Sequence, residues 1–241
     1  MPFTFSHPAL VLPLTYLPSK WFSLTGLVIG SLIPDFEYFI RMRIQSNYSH
    51  TLFGLFWFDL PIGLLLAFVY HIIVRNSLFD NLPTLLKSRL SVFKQFDWNM
   101  YFKKKWFVVI ISILIGTVSH LLWDSFTHCD GYFVQTLPFL TSTVEFFGRH
   151  ITAFKIIQHS STLLGGIVIV WAIFRLQRDK NVIGHLRIKY WSVLLGLTCI
   201  IIAVRLICGL DYRLYGHVIV TGISAGLIAL ILTPLLIKKR I

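Results

Sequence analysis

The sequence predicts an all-α fold: a polytopic transmembrane helical bundle with five spans plus an N-terminal segment that is either a re-entrant hairpin or a sixth span. Three observations predict it. First, 56% of the 241 residues are hydrophobic and only 13% charged, with a mean hydropathy of +0.74, whereas soluble globular domains carry about 25% charged residues. Second, apolar runs long enough to cross the roughly 30 Å hydrocarbon layer as helices recur from end to end with short links. Third, the cations fall into discrete loops between those runs. A single membrane domain over 1–241 follows, with a metal-site region at 1–165 and C-terminal transmembrane helices at 166–241.

The first thirty-three residues hold two apolar stretches, Ala9–Leu17 and Phe22–Ile33, interrupted by Pro18, Ser19 and Lys20. As one kinked span they place the N-terminus in the cytoplasm. As two short helices they dip in and return, leaving His7 beside Asp35 at the outer face. Lys20 favours the hairpin, because a lysine deep within a span is costly. The five spans are then expected near 52–74, 106–123, 161–177, 190–207 and 217–237.

Orientation follows from Lys and Arg. The loops 75–105 and 175–189 with the C-terminal 238–240 hold fifteen, and the stretches 34–51, 124–160 and 205–216 hold six. The positive-inside rule places the heavy loops and the C-terminus in the cytoplasm of an inner (cell) membrane protein. A net charge of +12 does not indicate nucleic acid here, since no basic stripe on a soluble, aromatic-studded surface is present; membrane lipid is the expected partner. Three cysteines, Cys129, Cys199 and Cys208, form no disulfide framework or zinc-type pair. MPFTFSHPAL has no basic region before its apolar stretch and does not read as a secretory signal.

This topology returns Asp35, Glu37, His50, His120, Asp124, His128 and His159 to one membrane face, in a chain with nine His and ten Asp plus Glu. Imidazole with carboxylate is a donor set that divalent transition metals take. The strongest local signal is Ser119-His120-Leu-Leu-Trp-Asp124-Ser-Phe-Thr-His128, where His120 and Asp124 stand one turn apart on one helix face. Ser112 and Gly116 extend that face inward as a stripe of small residues, which packs a transmembrane helix closely against a neighbour. Taken singly, His120 is a hydrogen-bond donor between helices and Asp124 a solvated helix-end acid; the company of matching groups turns the pair into a metal cradle. Pro34-Asp35-Phe36-Glu37 offers Asp35 as a bridging carboxylate and Glu37 as a ligand or general base. His50 precedes the span at 52–74 and His159 the span at 161–177. His71 and His185 fall on the cytoplasmic side as interface or loop residues. Asp59 lies within its span, with Arg205 as a possible counter-charge, either functional or a buried structural pair.

The segments MPFTFSHPAL, PDFEYF, SHTLFG, SHLLWDSFTH and QHSSTLLG resemble those of an uncharacterised bacterial membrane family of unknown function, over most of the first 165 residues. More distantly, the order of His and Asp is similar to that of membrane-bound metal-dependent hydrolases and of the zinc-dependent phospholipase C and single-strand nuclease superfamily. The resemblance implies His7, Asp35, His50, His120, Asp124, His128 and His159 as ligands of one or two divalent ions, zinc foremost. It departs at two points: Met1-Pro2 replaces a mature N-terminal tryptophan, and Leu163 stands where a later His-x-x-x-Glu would place its acid. The expected function is hydrolysis of a phosphoester or other envelope-associated ester of amphiphilic character, with Asp35 and Glu37 in the catalytic roles. The alternatives are a membrane scaffold with a structural metal, whose basic loop 75–105 docks a partner or anionic lipid, and, behind both, a transporter.

Overall fold

The computed structural model describes residues 3–18, 20–146, 148–182 and 187–237. His185 and residues 238–240, used in the readings above, lie outside them. In chain order the elements are α1 (Pro8–Val11), α2 (Leu24–Leu32), α3 (Phe36–Arg41), α4 (Leu55–Asn81), α5 (Thr84–Leu90), α6 (Trp98–Asp124), α7 (Tyr132–Thr136), α8 (Pro138–Thr141), β1 (Thr143–Phe146), β2 (Arg149–Thr152), α9 (Ala153–Arg175), α10 (Ile188–Ile207) and α11 (Tyr215–Leu236). Among the described residues the protein is all-α apart from the antiparallel hairpin β1–β2. Five helices, α4, α6, α9, α10 and α11, are long and apolar enough to cross a membrane.

The expected spans match these helices with three informative extensions. α4 runs on to Asn81 because Arg75 does not end it. Its guanidinium donates to Phe96 O at 2.8 Å, Lys94 O at 3.3 Å and His71 Nδ1 at 2.9 Å, so the buried charge is solvated by protein. α6 begins at Trp98 but breaks at Lys105, where φ −133° and ψ 24° leave the helical region. The apolar part after that break is the span expected from sequence. α9 starts at Ala153, so the helix extends ahead of its apolar run and takes in the QHSS segment.

The chain divides into two compact units. The first comprises the described residues of Met1–Pro34, Ser49–Gly63 and Lys105–Ala172. Its centre is the packing of α2 along α6. Ser23 N donates to Ser112 Oγ at 2.8 Å, and Thr117 Oγ1 donates to Gly30 O at 3.3 Å. A Cβ on Gly26 would stand 2.7 Å from Ser112 Cβ, one on Gly30 would run into Ile113 O, and one on Gly116 would run into Leu27 O and lie 2.6 Å from Ser31 N. Glycine at these three places lets two backbones touch. α1 and the 3₁₀ turn after it fold back against α2. The N-terminal segment thus holds two short helices, α1 and the nine-residue α2, and the 3₁₀ turn Ile33–Asp35 carries α2 on into α3. The two arms, at His7 and Ser31, meet the same end of α6, which carries His120 and Asp124.

The second unit comprises the described residues of Asp35–Tyr48, Leu64–Lys104 and Ile173–Ile241. The start of α10 packs on the end of α11 through Tyr190, Leu194 and Ala229, so the two helices are antiparallel. α11 turns small residues inward, Thr221, Ser224, Ala225, Ala229 and Thr233, the device that the absence of a hydrophobic driving force in lipid demands. α3 ends at Met42, in the left-handed region at φ 51°, and Thr221 Oγ1 donates to its carbonyl at 3.0 Å.

The glycine contacts set a testable cost. Gly116→Val inserts volume where backbone stands, and overpacking of this kind costs about 1–3 kcal/mol. Gly166, one helix over, has nothing within 4 Å of a built Cβ. In detergent melting experiments Gly116→Val is expected to lower the transition temperature clearly while Gly166→Ala leaves it in place. Equal melting of the two variants would refute the backbone contact between α2 and α6.

Candidate metal centre

The site grows from the end of α6. His120 and Asp124 sit one turn apart, with Nε2 and Oδ2 3.2 Å from each other, and His120 is fully buried. The other ring nitrogen fixes the tautomer. His120 Nδ1 lies 2.7 Å from Ser31 O, and a carbonyl oxygen only accepts, so Nδ1 carries the proton. In the neutral ring Nε2 then presents its lone pair towards the Asp124 carboxylate. An imidazole that donates one N–H to a backbone carbonyl and turns its other nitrogen inward is the arrangement found around metal-ligating histidines.

Three further groups converge on this pair. The N-terminal segment brings His7, whose Nε2 is 3.6 Å from Asp124 Oδ1 and whose ring stacks on His120 at 3.8 Å between centroids. The segment before α4 brings His50, with Nε2 3.7 Å from Asp124 Oδ2 and Nδ1 3.1 Å from Ser49 Oγ. Asp35 follows Pro34 directly, in the 3₁₀ turn that continues α2. Asp35, His50, His120 and Asp124 each offer one ligand atom, all within 4.8 Å of one another, so this buried group could hold a metal ion.

The spacing is compatible with a bound ion. Donor atoms about 2.0–2.1 Å from a tetrahedral ion are about 3.4 Å from one another. The imidazole–carboxylate separations of 3.2–3.7 Å bracket that edge. Both nitrogens of His7 are buried and make no hydrogen bond among the described residues, and the buried Asp124 carboxylate has imidazole nitrogens of His7, His50, His120 and His128 within 3.7 Å. A buried carboxylate is costly unless positive charge shares its pocket. Burial first, then the neighbouring His120, push the His7 pKa down to about 3, so at neutral pH its ring is uncharged with a lone pair to offer.

The remaining sequence candidates are placed differently. His128 is at the rim, a little under one quarter exposed, and its Nδ1 donates to Asp124 O at 3.0 Å while standing 3.6 Å from Asp124 Oδ1. His159 is exposed on α9. Glu37, on α3, is buried and holds a loop together. It pairs with Arg41 at 2.8 Å, and its oxygens accept from Asn47 N at 3.0 Å, Tyr48 N at 2.9 Å and Ser46 Oγ at 3.2 Å. A carboxylate so engaged has its lone pairs committed, which suits a bracket of the 37–48 loop more than a general base. Asp59 is fully buried in the π turn that opens α4.

Sequence reasoning did not identify the groups that hold the ligands. The Ser31 carbonyl carries no side-chain signature. The QHSSTLLG segment does its visible work through Thr162, whose Oγ1 accepts from Phe3 N at 3.0 Å, and through Gly165, where a Cβ would stand 2.8 Å from both Ser6 Cβ and Ser6 O. Together they seat the strand of chain that ends in His7.

The family described as a domain of unknown function (DUF4184) matches residues 1–235. No curated protein and no solved structure matches the chain.

The site makes a direct prediction about metal. Full-length protein purified in detergent, supplied with zinc and desalted, is expected to retain about one equivalent by elemental mass spectrometry. His120→Ala and Asp124→Ala are each expected to lose it while still inserting. Retention of metal by Asp124→Ala would place the ion elsewhere.

Proposed function

The chain belongs to the DUF4184 family, a domain of unknown function, and from the geometry of its buried His/Asp group we propose that it is a membrane-bound, metal-dependent hydrolase. Its substrate is a phosphoester or another envelope-associated ester, and its metal is zinc or a similar divalent ion, one or two per chain. The observation that carries the reading is the carbonyl-anchored His120 facing Asp124 at 3.2 Å among His7, His50 and Asp35. The distant resemblance to membrane-bound metal-dependent hydrolases points the same way.

The residues divide the work. His120, Asp124, His50 and Asp35 would hold the ion, and His7 is buried beside Asp124. A divalent ion there would supply polarisation of the scissile group and a water with its pKa lowered to about 7. His50 and His128 are partly exposed while His7 and His120 are not, so the group has a closed floor and an accessible rim. That asymmetry supports catalysis, because catalytic sites keep a coordination position open to substrate whereas structural sites close all of theirs. His128 donates through Nδ1 to a backbone carbonyl, which leaves Nε2 to accept a proton from the attacking water and pass it to the leaving group.

One observation favours a second reading. The ligands come from four separated stretches of chain, the N-terminal arm, the turn at Asp35, the segment before α4 and the end of α6, and a metal joining them would act as a staple. A scaffold protein with a structural ion predicts loss of thermal stability on chelation with no turnover to lose.

Turnover separates the two. With bis(p-nitrophenyl) phosphate and a fluorogenic phospholipid as probes, zinc-loaded wild type is expected to hydrolyse at least one, and Asp124→Ala neither. His128→Gln is expected to keep its metal and lose about 10²–10⁴-fold in kcat. Metal-loaded wild type inert on both probes and on other amphiphilic esters would leave the structural ion as the function of the site.

We also place the site at the outer membrane–water boundary, on the basis of the fifteen-to-six division of cations. Cys129 is exposed one residue beyond His128. In a Cys199→Ser/Cys208→Ser background, a membrane-impermeant maleimide added to intact spheroplasts is expected to label Cys129. Labelling only after permeabilisation would invert the orientation.

A further inference from the structure

The second unit contains a cavity of about 800 Å³ between the end of α5 with the 3₁₀ turn after it and residues 176–182 beyond α9. Its walls carry Arg89, Arg178 and Lys180 against one acid, Asp179. Lys94 also lines it but is ion-paired with Asp80. The two walls are joined by Asp179 N donating to Ser88 O at 2.8 Å, and Asn181 N caps the Asp179 carboxylate at 2.9 Å.

Arg89 gives the cavity direction. Its guanidinium lies over the Phe174 ring at 4.8 Å and donates through Nη1 to Leu85 O at 2.8 Å. Its Nε is buried and makes no hydrogen bond among the described residues. A guanidinium braced by an aromatic face and a carbonyl, with a donor left over, is suited to an oxyanion. Ser91, Gln95 and Gln177 supply neutral polar groups around it. Phe174 and Trp171 are exposed one turn apart at the end of an apolar helix, the pattern of an aromatic belt at headgroup level. A net-positive pocket at that depth meets lipid phosphate before any other anion.

We propose that this cavity is a binding site for the phosphate of an anionic phospholipid headgroup, with Arg89 as its anchor and Arg178 and Lys180 as its rim. The site is separate from the metal group and does not depend on its activity.

Native mass spectrometry of the full-length protein in detergent tests it, with phosphatidylglycerol, phosphatidylcholine and inorganic phosphate as probes. Phosphatidylglycerol is expected to bind in preference to phosphatidylcholine, and Arg89→Gln to weaken it about tenfold or more. Arg178→Gln/Lys180→Gln, on two exposed side chains, is expected to do the same and guards against a variant that fails to fold. Unchanged phosphatidylglycerol affinity in the folded variants, or no preference over phosphatidylcholine, would overturn the site. Inorganic phosphate binding as tightly as phosphatidylglycerol would overturn the lipid source and assign the pocket to free phosphate.

Discussion

The contact on which the site depends is that of α2 with α6. Gly26 and Gly30 on one helix and Gly116 on the other leave no room for a Cβ, so the backbones meet. Only at that distance does the Ser31 carbonyl reach His120 Nδ1. The hydrogen bond fixes which ring nitrogen carries a proton, and with it which nitrogen faces Asp124. Packing thus sets chemistry: the small residues do not merely permit association in lipid, they determine the protonation pattern of a ligand one turn away. Ser112 and Thr117 of α6 tie α2 down through Ser23 N and Gly30 O and hold the register in which Ser31 stands opposite His120.

A second close contact of the same kind serves the N-terminal arm. Gly165 on α9 admits Ser6, and Thr162 takes the Phe3 amide. Two short helical arms would otherwise have little to hold them, since isolated helices of this length are marginal. His7 is therefore delivered to Asp124 from outside its own segment. The QHSS region contributes to the centre by seating a ligand-bearing strand, while its own histidine, His159, is exposed.

Much of this was legible in the sequence, for reasons that have limits. Apolar length located the five long helices, because it is set by a solvent that every residue of a span meets. The i,i+4 spacing of His120 and Asp124 and the Ser112–Gly116 stripe indicated a helix face turned inward, because helical geometry is local. Three kinds of information were not local. The helical start of α9 at Ala153 lies outside its apolar run, where hydropathy is silent. The β1–β2 hairpin sets Glu145 opposite His150, a pairing fixed by a turn rather than by any alternation in the flanking loop. Glu37 resembled a base beside Asp35 in sequence, but its oxygens were already committed to Arg41 and to the backbone of residues 47 and 48, partners that only the fold brings together.

The charge balance of the group bears on what fills it. Asp35 and Asp124 are buried and supply two negative charges if both are ionised, and His7, His50 and His120 lie beside them. One protonated imidazole among them would leave a net negative charge in a desolvated pocket. Two would neutralise it, yet His7 resists protonation, held to about 3 by burial and by the adjacent His120 ring. The stacked His7–His120 pair, 3.8 Å between centroids, would place two imidazoliums face to face. A divalent cation brings the sum to zero at once, while every imidazole stays neutral with a lone pair to give. Ligands of this kind must be deprotonated before they bind, which couples metal occupancy to pH and to the folding of the arms that carry them. The donor set, the tautomer imposed by Ser31 and the resistance of His7 to charge are each compatible with a metal ion in this group.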